Sequence, residues 1–194
     1  MALCLHRKVR IAGLILVFPL LVFLSGPTPS HAKPVEGFGK LKFGMKPKEV
    51  EALEGCSSST ECLYEILGKN RYFILKYGAN GLTGNEVSSP PPTANLSQID
   101  IDMGNHTKEW FLELYDVLAR QYPVSHIPGE QEDANFRDGT NNELIIGFAD
   151  DTVLLKLVRR PFGNLILRVI YQDQAAAQTL RQHWEPPPIP PTSQ

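Results

Sequence analysis

The stretch ELIIGFADDTVLLKLVRRPFGNLILRVIY, residues 143–171, decides the fold, because two turn signals divide one long apolar run into three pieces. Residues 149–152 (ADDT) predict a polar turn, since Asp tolerates the backbone conformations of tight turns. Residues 160–164 (RPFGN) predict a second turn, with φ fixed at Pro161 and a left-handed residue at Gly163. The run therefore predicts three consecutive antiparallel strands.

The two turns also fix the register of these strands. The expected opposite pairs are Phe148–Val153, Ile146–Leu155, Leu155–Val169 and Leu157–Leu167. Because successive side chains of a strand point to opposite faces, one face is apolar throughout and consists of Leu144, Ile146, Phe148, Val153, Leu155, Leu157, Leu165, Leu167, Val169 and Tyr171. A face this apolar has to be covered by another element of the fold.

The opposite face of the three strands is mixed in character and is our candidate binding face. Its members are Leu154, Lys156, Val158, Ile166, Arg168 and Ile170. Lys156 falls opposite Arg168, and like charges repel there unless solvent or an acidic group separates them. Two interpretations stay open. The face is either a half-wet outer surface that a terminal segment partly covers, or it docks an acidic or apolar partner around its basic centre.

Residues 1–32 have the layout of a secretory signal peptide. A basic segment at 7–10 precedes an apolar run at 11–24, and small residues surround the end of the segment at Ala32. The alternative is an uncleaved membrane anchor, but the run is shorter than the roughly 20 residues of a spanning helix, and Pro19 interrupts it. We expect cleavage after Ala32, a periplasmic or secreted protein, and no stable membrane insertion afterwards.

The rest of the chain suits one domain. Residues 33–184 are long enough to enclose a core, and residues 185–194 (EPPPIPPTSQ) predict a disordered, proline-rich tail. The chain carries 21 acidic and 19 basic residues, and loss of the signal removes only basic ones. A mildly acidic domain argues against nucleic acid as a partner.

Two of the three cysteines remain after the signal, Cys56 and Cys62. An even pair in an oxidising compartment predicts one disulfide, which would join the first helix to the first strand. The spacing is not the C-x-x-C of thiol exchange, and no histidine lies nearby in sequence, so a redox or metal site is not expected.

Further elements follow from periodicity and turn residues. They are a short helix from Pro47 to Gly55, strands at 62–67 and 71–77 around Gly68-Lys69-Asn70, a loop at 78–94, a strand at 96–103, a helix at 107–122, a polar loop at 125–142 and a helix at 173–183. The helix at 107–122 is the most amphipathic and is expected to cover the apolar face. The strand at 96–103 turns Asp100 and Asp102 outward, as a solvated face.

The order of helix and three strands occurs twice and predicts an α+β fold. We expect one antiparallel sheet with helices packed on one face, built as a doubled helix–three-strand unit. Residues 43–50 (FGMKPKEV) resemble the GM-(S/T)-x-x-E-V helix start of small exported proteins that share the fold of the outer-membrane assembly factor BamE and the β-lactamase inhibitor protein. The resemblance implies helices followed by antiparallel strands and a role in binding other proteins. Lys46 stands where those proteins have a capping Ser or Thr, and no functional residue carries over.

The sequence shows no catalytic, phosphate-binding or metal-binding motif, and we expect no cofactor. We predict an exported, non-catalytic binding module that interacts with another extracytoplasmic protein. One alternative is a carrier of a small apolar ligand held between the helices and the sheet. The other is a hydrolase with a dispersed site, for which His126 with Asp133 or Asp138 is the one loop cluster on offer.

Overall fold

The structure, a computed structural model, describes residues 35–78 and 90–184. The predicted signal peptide (1–32), residues 79–89 of the predicted loop, and the predicted tail (185–194) lie outside the described residues. Within them the elements, in chain order, are β1 (Gly37–Phe38), β2 (Leu41–Lys42), α1 (Pro47–Glu51), β3 (Glu61–Ile66), β4 (Lys69–Tyr77), β5 (Leu96–Asn105), α2 (Lys108–Gln121), β6 (Val124–His126), α3 (Glu130–Asp138), β7 (Glu143–Phe148), β8 (Val153–Arg159), β9 (Leu165–Gln172) and α4 (Gln174–Trp184).

Seven of the strands form one antiparallel sheet in the order β3-β4-β5-β9-β8-β7-β6, and β1 and β2 form a separate two-stranded hairpin. This arrangement of one antiparallel sheet with separate helices confirms the α+β class. The two halves of the chain meet at β5 and β9, which are neighbours although they are far apart in sequence.

The three C-terminal strands have the predicted register. Strands β7 and β8 pair Phe148 with Val153 and Ile146 with Leu155. Strands β8 and β9 pair Leu155 with Val169, Leu157 with Leu167, and Lys156 with Arg168. The turn chemistry in the sequence was therefore sufficient to align this part of the sheet.

The turn between β7 and β8 contains three successive left-handed residues. Ala149, Asp150 and Asp151 have φ angles of 49°, 53° and 61°. An L-residue in this region costs about 1–2 kcal/mol, so other contacts must hold the turn. Thr152 contributes two of them, because its backbone N–H and its hydroxyl both donate to the carbonyl oxygen of Ala149. At the second turn Gly163 is left-handed as predicted, with φ 82°.

Helix α2 covers the apolar face, which we call the core face. Leu114 and Leu118 are 3% and 4% exposed and belong to one buried cluster with Leu155, Leu167 and Val169 of the sheet. The start of the helix is also tied to the sheet, since the indole N–H of Trp110 donates to the carbonyl of Met103 at 3.0 Å. The predicted packing of this helix on the three strands is confirmed.

Both ends of α2 lie where the sequence predicted them. The Thr107 hydroxyl accepts from the Trp110 N–H at 3.1 Å and caps the first turn. Glu109 lies in that first turn, where a carboxylate meets the positive end of the helix dipole. Tyr122 has an extended backbone and ends the helix before Pro123, which cannot continue it.

Two predictions in the first half were wrong in detail. The β3–β4 connection is the two-residue turn Leu67-Gly68, with φ 51° and 70°, and not a loop at Gly68-Lys69-Asn70. Left-handed residues at both central positions match the right-handed twist of paired strands, which favours the tighter turn. Helix α1 ends at Glu51, before Gly55, and Gly55 lies in the following loop against the ring of Tyr64.

The polar loop predicted at 125–142 contains strand β6 and helix α3. The helix begins after Gly129, carries Glu130 and Glu132 in its first turn, and ends at Gly139 with φ 85°. Its charges fit the helix dipole, but Phe136 is its only buried residue. With one apolar anchor, the segment has no hydrophobic periodicity from which a helix could be predicted.

The predicted disulfide between Cys56 and Cys62 is present, with an S–S distance of 2.01 Å. It lies at the β3 edge of the sheet, where Cys56 forms a bridge pair with Cys62. Nearby, the Leu63 N–H donates to the Gly55 carbonyl at 2.7 Å, and the Ser57 N–H donates to the Glu61 carbonyl at 3.0 Å. The loop held by the disulfide therefore satisfies part of the outer edge of β3, which protects it from non-specific strand pairing.

Candidate binding face

The face of the sheet opposite the core face, here the outer face, has one row of side chains that crosses five strands. The row runs Ile74, Asp100, Ile170, Leu154 and Gly147 from β4 to β7. Its exposure falls along the row: Ile74 is 39% exposed, whereas Asp100, Ile170 and Leu154 are 2%, 3% and 1% exposed. The outer face is therefore open toward β3 and β4 and covered toward β8 and β9.

The face that we predicted as a binding surface lies mostly on the covered side. Leu154, Ile166 and Ile170 are buried, so these three positions present no exposed apolar surface. Lys156, Val158 and Arg168 are partly exposed. Of the predicted members, only these last three can reach a partner without a rearrangement of the fold.

Helix α4 explains the covering at one end of the outer face. The Arg181 guanidinium of α4 donates to an Asp151 carboxylate oxygen at 3.0 Å and to the Asp150 carbonyl at 2.7 Å. Asp151 lies beside Gly147, since a Cβ on Gly147 would be 2.2 Å from its Oδ1 atom. Because Gly147 belongs to the outer-face row, α4 lies on that face, and its Ala177 is fully buried. The sheet therefore has α2 on one face and α4 on the other, which corrects the expectation that the helices pack on one face.

The carboxylate of Asp151 is the centre of this anchor. It is 5% exposed as a side chain and pairs with Arg181, and its Oδ1 atom accepts from the Ser125 hydroxyl. Ser125 also accepts from the Asp151 N–H at 3.0 Å. The Gln172 side-chain amide donates to the Asp151 carbonyl at 2.7 Å. The network holds the left-handed turn, strand β6 and helix α4 together, so we assign it a structural role.

The open part of the outer face carries three exposed apolar side chains, which we call the exposed strip. They are Leu63 of β3 and Tyr72 and Ile74 of β4, with exposed fractions of 41%, 66% and 39%. Leu63 lies directly opposite Tyr72 in the register, and Glu61 lies opposite Ile74. The strip is therefore a contiguous apolar surface on rigid paired strands with an acidic residue at its border.

A charged cluster lies beside the exposed strip. Arg168 Nε is 2.9 Å from Asp100 Oδ1, although the two atoms lack the alignment of a hydrogen bond. The Lys156 ammonium donates to a Glu143 oxygen at 2.9 Å. Lys156 and Arg168 face each other across the two strands, and each of them has its own acidic partner, which offsets the repulsion between the two positive charges. Lys76 of β4 is the third cation of the cluster and, among the described residues, has no ion-pair partner of its own.

Burial shifts the protonation equilibria of this cluster. Burial raises the pKa of the Asp100 carboxyl, and the Arg168 and Lys76 charges oppose part of the rise. Burial lowers the pKa of the Lys76 ammonium, while the Asp100 carboxylate works in the opposite direction. Both shifts have the same cause, since a charged group loses hydration in the covered part of the face.

The pair Asp100 and Asp102 does not act as the solvated face that the sequence predicted, because Asp100 is buried. Asp102 accepts from the Gly104 N–H at 2.8 Å and lies 3.4 Å from an Arg160 nitrogen. Both carboxylates therefore already have partners within the chain. Among the described residues no group of three or more His, Cys, Asp or Glu side chains is placed to hold a metal ion.

A groove continues the exposed strip around the β3 edge. It has a volume of 440 Å³, and its lining includes Leu63, Tyr64 and Phe38. Lys40 and Glu54 also line the groove, and the Lys40 ammonium nitrogen lies 3.6 Å from a Glu54 carboxylate oxygen. The apolar surface at this edge of the protein is thus concave where it leaves the sheet, and its border is charged.

The residues of the alternative hydrolase site serve other contacts. His126 Nε2 is 3.6 Å from a Glu132 oxygen. Asp133 forms an ion pair with Arg137 one helical turn later, and Asp138 accepts from the Thr140 N–H at 2.8 Å. The hydrogen bond to Thr140 lowers the pKa of Asp138. The contacts of Asp133 and Asp138 lie within α3 and at its C-terminal end.

The sequence did not indicate the exposed strip. Leu63, Tyr72 and Ile74 do have the alternation of one strand face, but the pattern does not say whether another element covers that face. The answer depends on the contact between Arg181 and Asp151, which are 30 positions apart. A partial signal is the contrast between a long apolar strand at β8 and the more polar hairpin of β3 and β4.

Comparison with known proteins gives no match. No protein-family model matches the chain, and neither a curated protein nor a solved structure matches it. The resemblance of residues 43–50 to BamE-like proteins therefore stays a prediction. Of the helices in the described part of the chain, none has the length and apolar character needed to cross a membrane.

Proposed function

We propose that this protein is an exported, non-catalytic binding module that holds another protein against the exposed strip of its outer face. The observation that carries the proposal is the contrast along the outer face. The apolar side chains Leu154, Ile166 and Ile170 on one half are buried. On the neighbouring strands Leu63, Tyr72 and Ile74 are exposed. A fold that covers most of its apolar sheet surface and leaves one contiguous strip uncovered has the character of an interaction site.

The composition of the strip supports a protein as its partner. Tyr72 is the most exposed member at 66%, and tyrosine is among the residues that contribute most to binding at protein interfaces. The three side chains stand on paired strands, so a partner would order few rotamers and no backbone. The groove at the β3 edge extends this surface and offers a place for a projecting side chain of the partner.

The charges beside the strip favour a partner with an acidic border. Lys156 and Arg168 each have an acidic partner. Lys76 forms no ion pair with a described residue, and burial lowers its pKa. A carboxylate from the partner near Lys76 would favour the charged ammonium and complete the cluster. The partner that best fits the surface is therefore a protein with an apolar contact and an adjacent acidic side chain.

The disulfide supports the exported part of the proposal. Structural disulfides form and persist in extracytoplasmic compartments and are rare in the cytosol. The bond between Cys56 and Cys62 agrees with the signal peptide predicted at residues 1–32. The proposed location is periplasmic or secreted.

Site-specific photo-crosslinking tests the proposal. A benzophenone amino acid replaces Tyr72 in the cells that produce the protein, and the matched control carries it in place of Leu112, an exposed residue of α2 with 48% exposure. We expect one crosslinked product of defined mass from position 72, recovered from the extracytoplasmic fraction and identified by mass spectrometry. We expect no such product from position 112.

A second pair of variants shows whether the product depends on the strip. Ile74→Asp places a charge within the exposed strip, next to Tyr72 on the same strand face, and should remove the product from position 72. Leu112→Asp makes the same change in exposed surface on α2 and should leave the product intact. A product that survives Ile74→Asp, or equal products from positions 72 and 112, would contradict the proposed binding surface.

A further inference from the structure

A cavity lies between helix α2 and the core face of the sheet. Its roof consists of Leu114, Val117 and Leu118 of the helix, and its floor includes Ile101 of β5 and Val169 of β9. The volume is 230 Å³. The space is partly open to solvent, and a helix that packs on a sheet normally leaves no gap of this size, so it is a feature of the fold that needs an explanation.

The lining of the cavity is apolar and uncharged. Among the described residues that border it, Gln121 and Tyr171 are the polar ones, and none is acidic or basic. Tyr171 is 4% exposed, and burial raises the pKa of its hydroxyl far above the ordinary value, with the neighbouring Tyr122 hydroxyl as a further cause. The phenol therefore stays neutral at any physiological pH and can act only through its hydrogen-bonding hydroxyl.

The cavity has a mouth at one end. Leu67 in the β3–β4 turn is 53% exposed, and Gln121 in the last turn of α2 is exposed as well, yet both border the cavity. Most of the other walls are buried, with Met103 at 3% and Leu118 at 4% exposed. A ligand would enter between the hairpin turn and the helix end, and it would be enclosed by apolar side chains once inside.

We propose that this cavity is a binding site for a small, neutral and mainly apolar molecule, about the size of a bicyclic aromatic compound. An apolar cavity of about 150 Å³ stays dry and accommodates benzene, and the space here is half as large again. The absence of charge among the lining residues excludes an ion, because a buried charge without a partner is strongly unfavourable. The site gives specific form to the small-ligand carrier that the sequence left open, and it is independent of the exposed strip.

Isothermal titration of the full chain with indole tests the site, and benzoate serves as the charged probe of equal heavy-atom number. We expect saturable binding of indole and at least about tenfold weaker binding of benzoate. Val117→Phe places a ring inside the cavity and should weaken indole binding by at least about tenfold. Leu112→Phe adds the same ring on the exposed side of the same helix and should leave binding unchanged.

A smaller side chain keeps the test decisive if the larger one prevents folding. Val117→Ala enlarges the cavity and should bind 2-naphthol more tightly than the wild-type chain does, while still binding indole. Two results with the wild type would overturn the inference: no saturable binding of indole, or binding of benzoate as tight as that of indole. Two results with the variants would also overturn it: wild-type affinity of Val117→Phe for indole, or no gain in the affinity of Val117→Ala for 2-naphthol. None of these outcomes depends on a protein partner.

Discussion

Replacement of Leu118 by alanine measures how much the packing of α2 on the core face stabilises the fold. The side chain is 4% exposed and borders the 230 Å³ cavity. The substitution removes the equivalent of about three buried methylene groups, each worth about 0.8 kcal/mol, or about 2.4 kcal/mol in total. The substitution also enlarges the cavity beside Leu118. The larger cavity adds a further loss of stability if the surrounding side chains do not move in to fill it, as the existing cavity indicates. We therefore expect a loss of about 3 kcal/mol in the free energy of unfolding.

Leu112→Ala is the matched control on the same helix. It makes the same chemical change at a side chain that is 48% exposed, so the change in helix propensity is equal and the loss should stay within about 0.5 kcal/mol. Urea denaturation followed by circular dichroism measures both variants. At a slope of about 2 kcal/mol/M, the midpoint for Leu118→Ala should fall by about 1.5 M. Equal midpoints for the two variants would refute the packing of α2 on the sheet.

Three further predictions concern the outer face and the edge of the sheet. Gly147→Ala should destabilise the chain by about 1–3 kcal/mol in thermal or urea unfolding, because a Cβ there would be 2.2 Å from a turn carboxylate oxygen. In the control Gly129→Ala the new Cβ has its nearest neighbour at 3.8 Å, so the loss should be limited to the preference for glycine at the N-cap of α3, about 0.5 kcal/mol; equal losses would contradict the close packing at Gly147. Burial raises the pKa of Asp100, so the folded state binds the Asp100 proton more tightly than the unfolded state does. The stability of the wild type relative to Asp100→Asn should therefore fall as the pH rises from below the ordinary carboxyl pKa through the raised pKa. Urea titrations at several pH values measure this difference, and a relative stability that rises with pH would contradict the prediction. Replacement of both Cys56 and Cys62 by serine removes the disulfide and opens a loop with a sequence separation of 6. The free energy of unfolding should fall by about 2 kcal/mol. An unchanged urea midpoint would contradict a stabilising role of the disulfide.

The parts of the fold that could be predicted are those whose signals are local. The strands within residues 143–171 alternate in hydrophobicity and are separated by recognisable turns, so their register followed directly. Helix α2 has a capping residue at Thr107 and apolar side chains at helical spacing. Each of these features can be evaluated within about 15–30 consecutive residues.

The parts that could not be predicted depend on contacts between distant residues. Strand alternation assigned Leu154 and Ile170 to the outer face correctly, but their burial depends on α4, whose Arg181 binds the turn at Asp151. Helix α3 forms although Phe136 is its only buried residue, since charge placement and Gly139 substitute for an apolar stripe. The exposed strip could not be predicted, because its exposure depends on which parts of the outer face the other elements cover.

The most direct test of the exposed strip as a binding surface is an affinity measurement. The partner identified by crosslinking is purified, and its affinity for two variants of this chain is compared. Titration calorimetry compares Ile74→Asp, within the strip, with Leu112→Asp on the surface of α2. We predict that Ile74→Asp weakens binding by at least about tenfold, or about 1.4 kcal/mol, and that Leu112→Asp binds as the wild type does. Unchanged affinity for Ile74→Asp, with the fold intact by circular dichroism, would contradict the outer face as the binding surface.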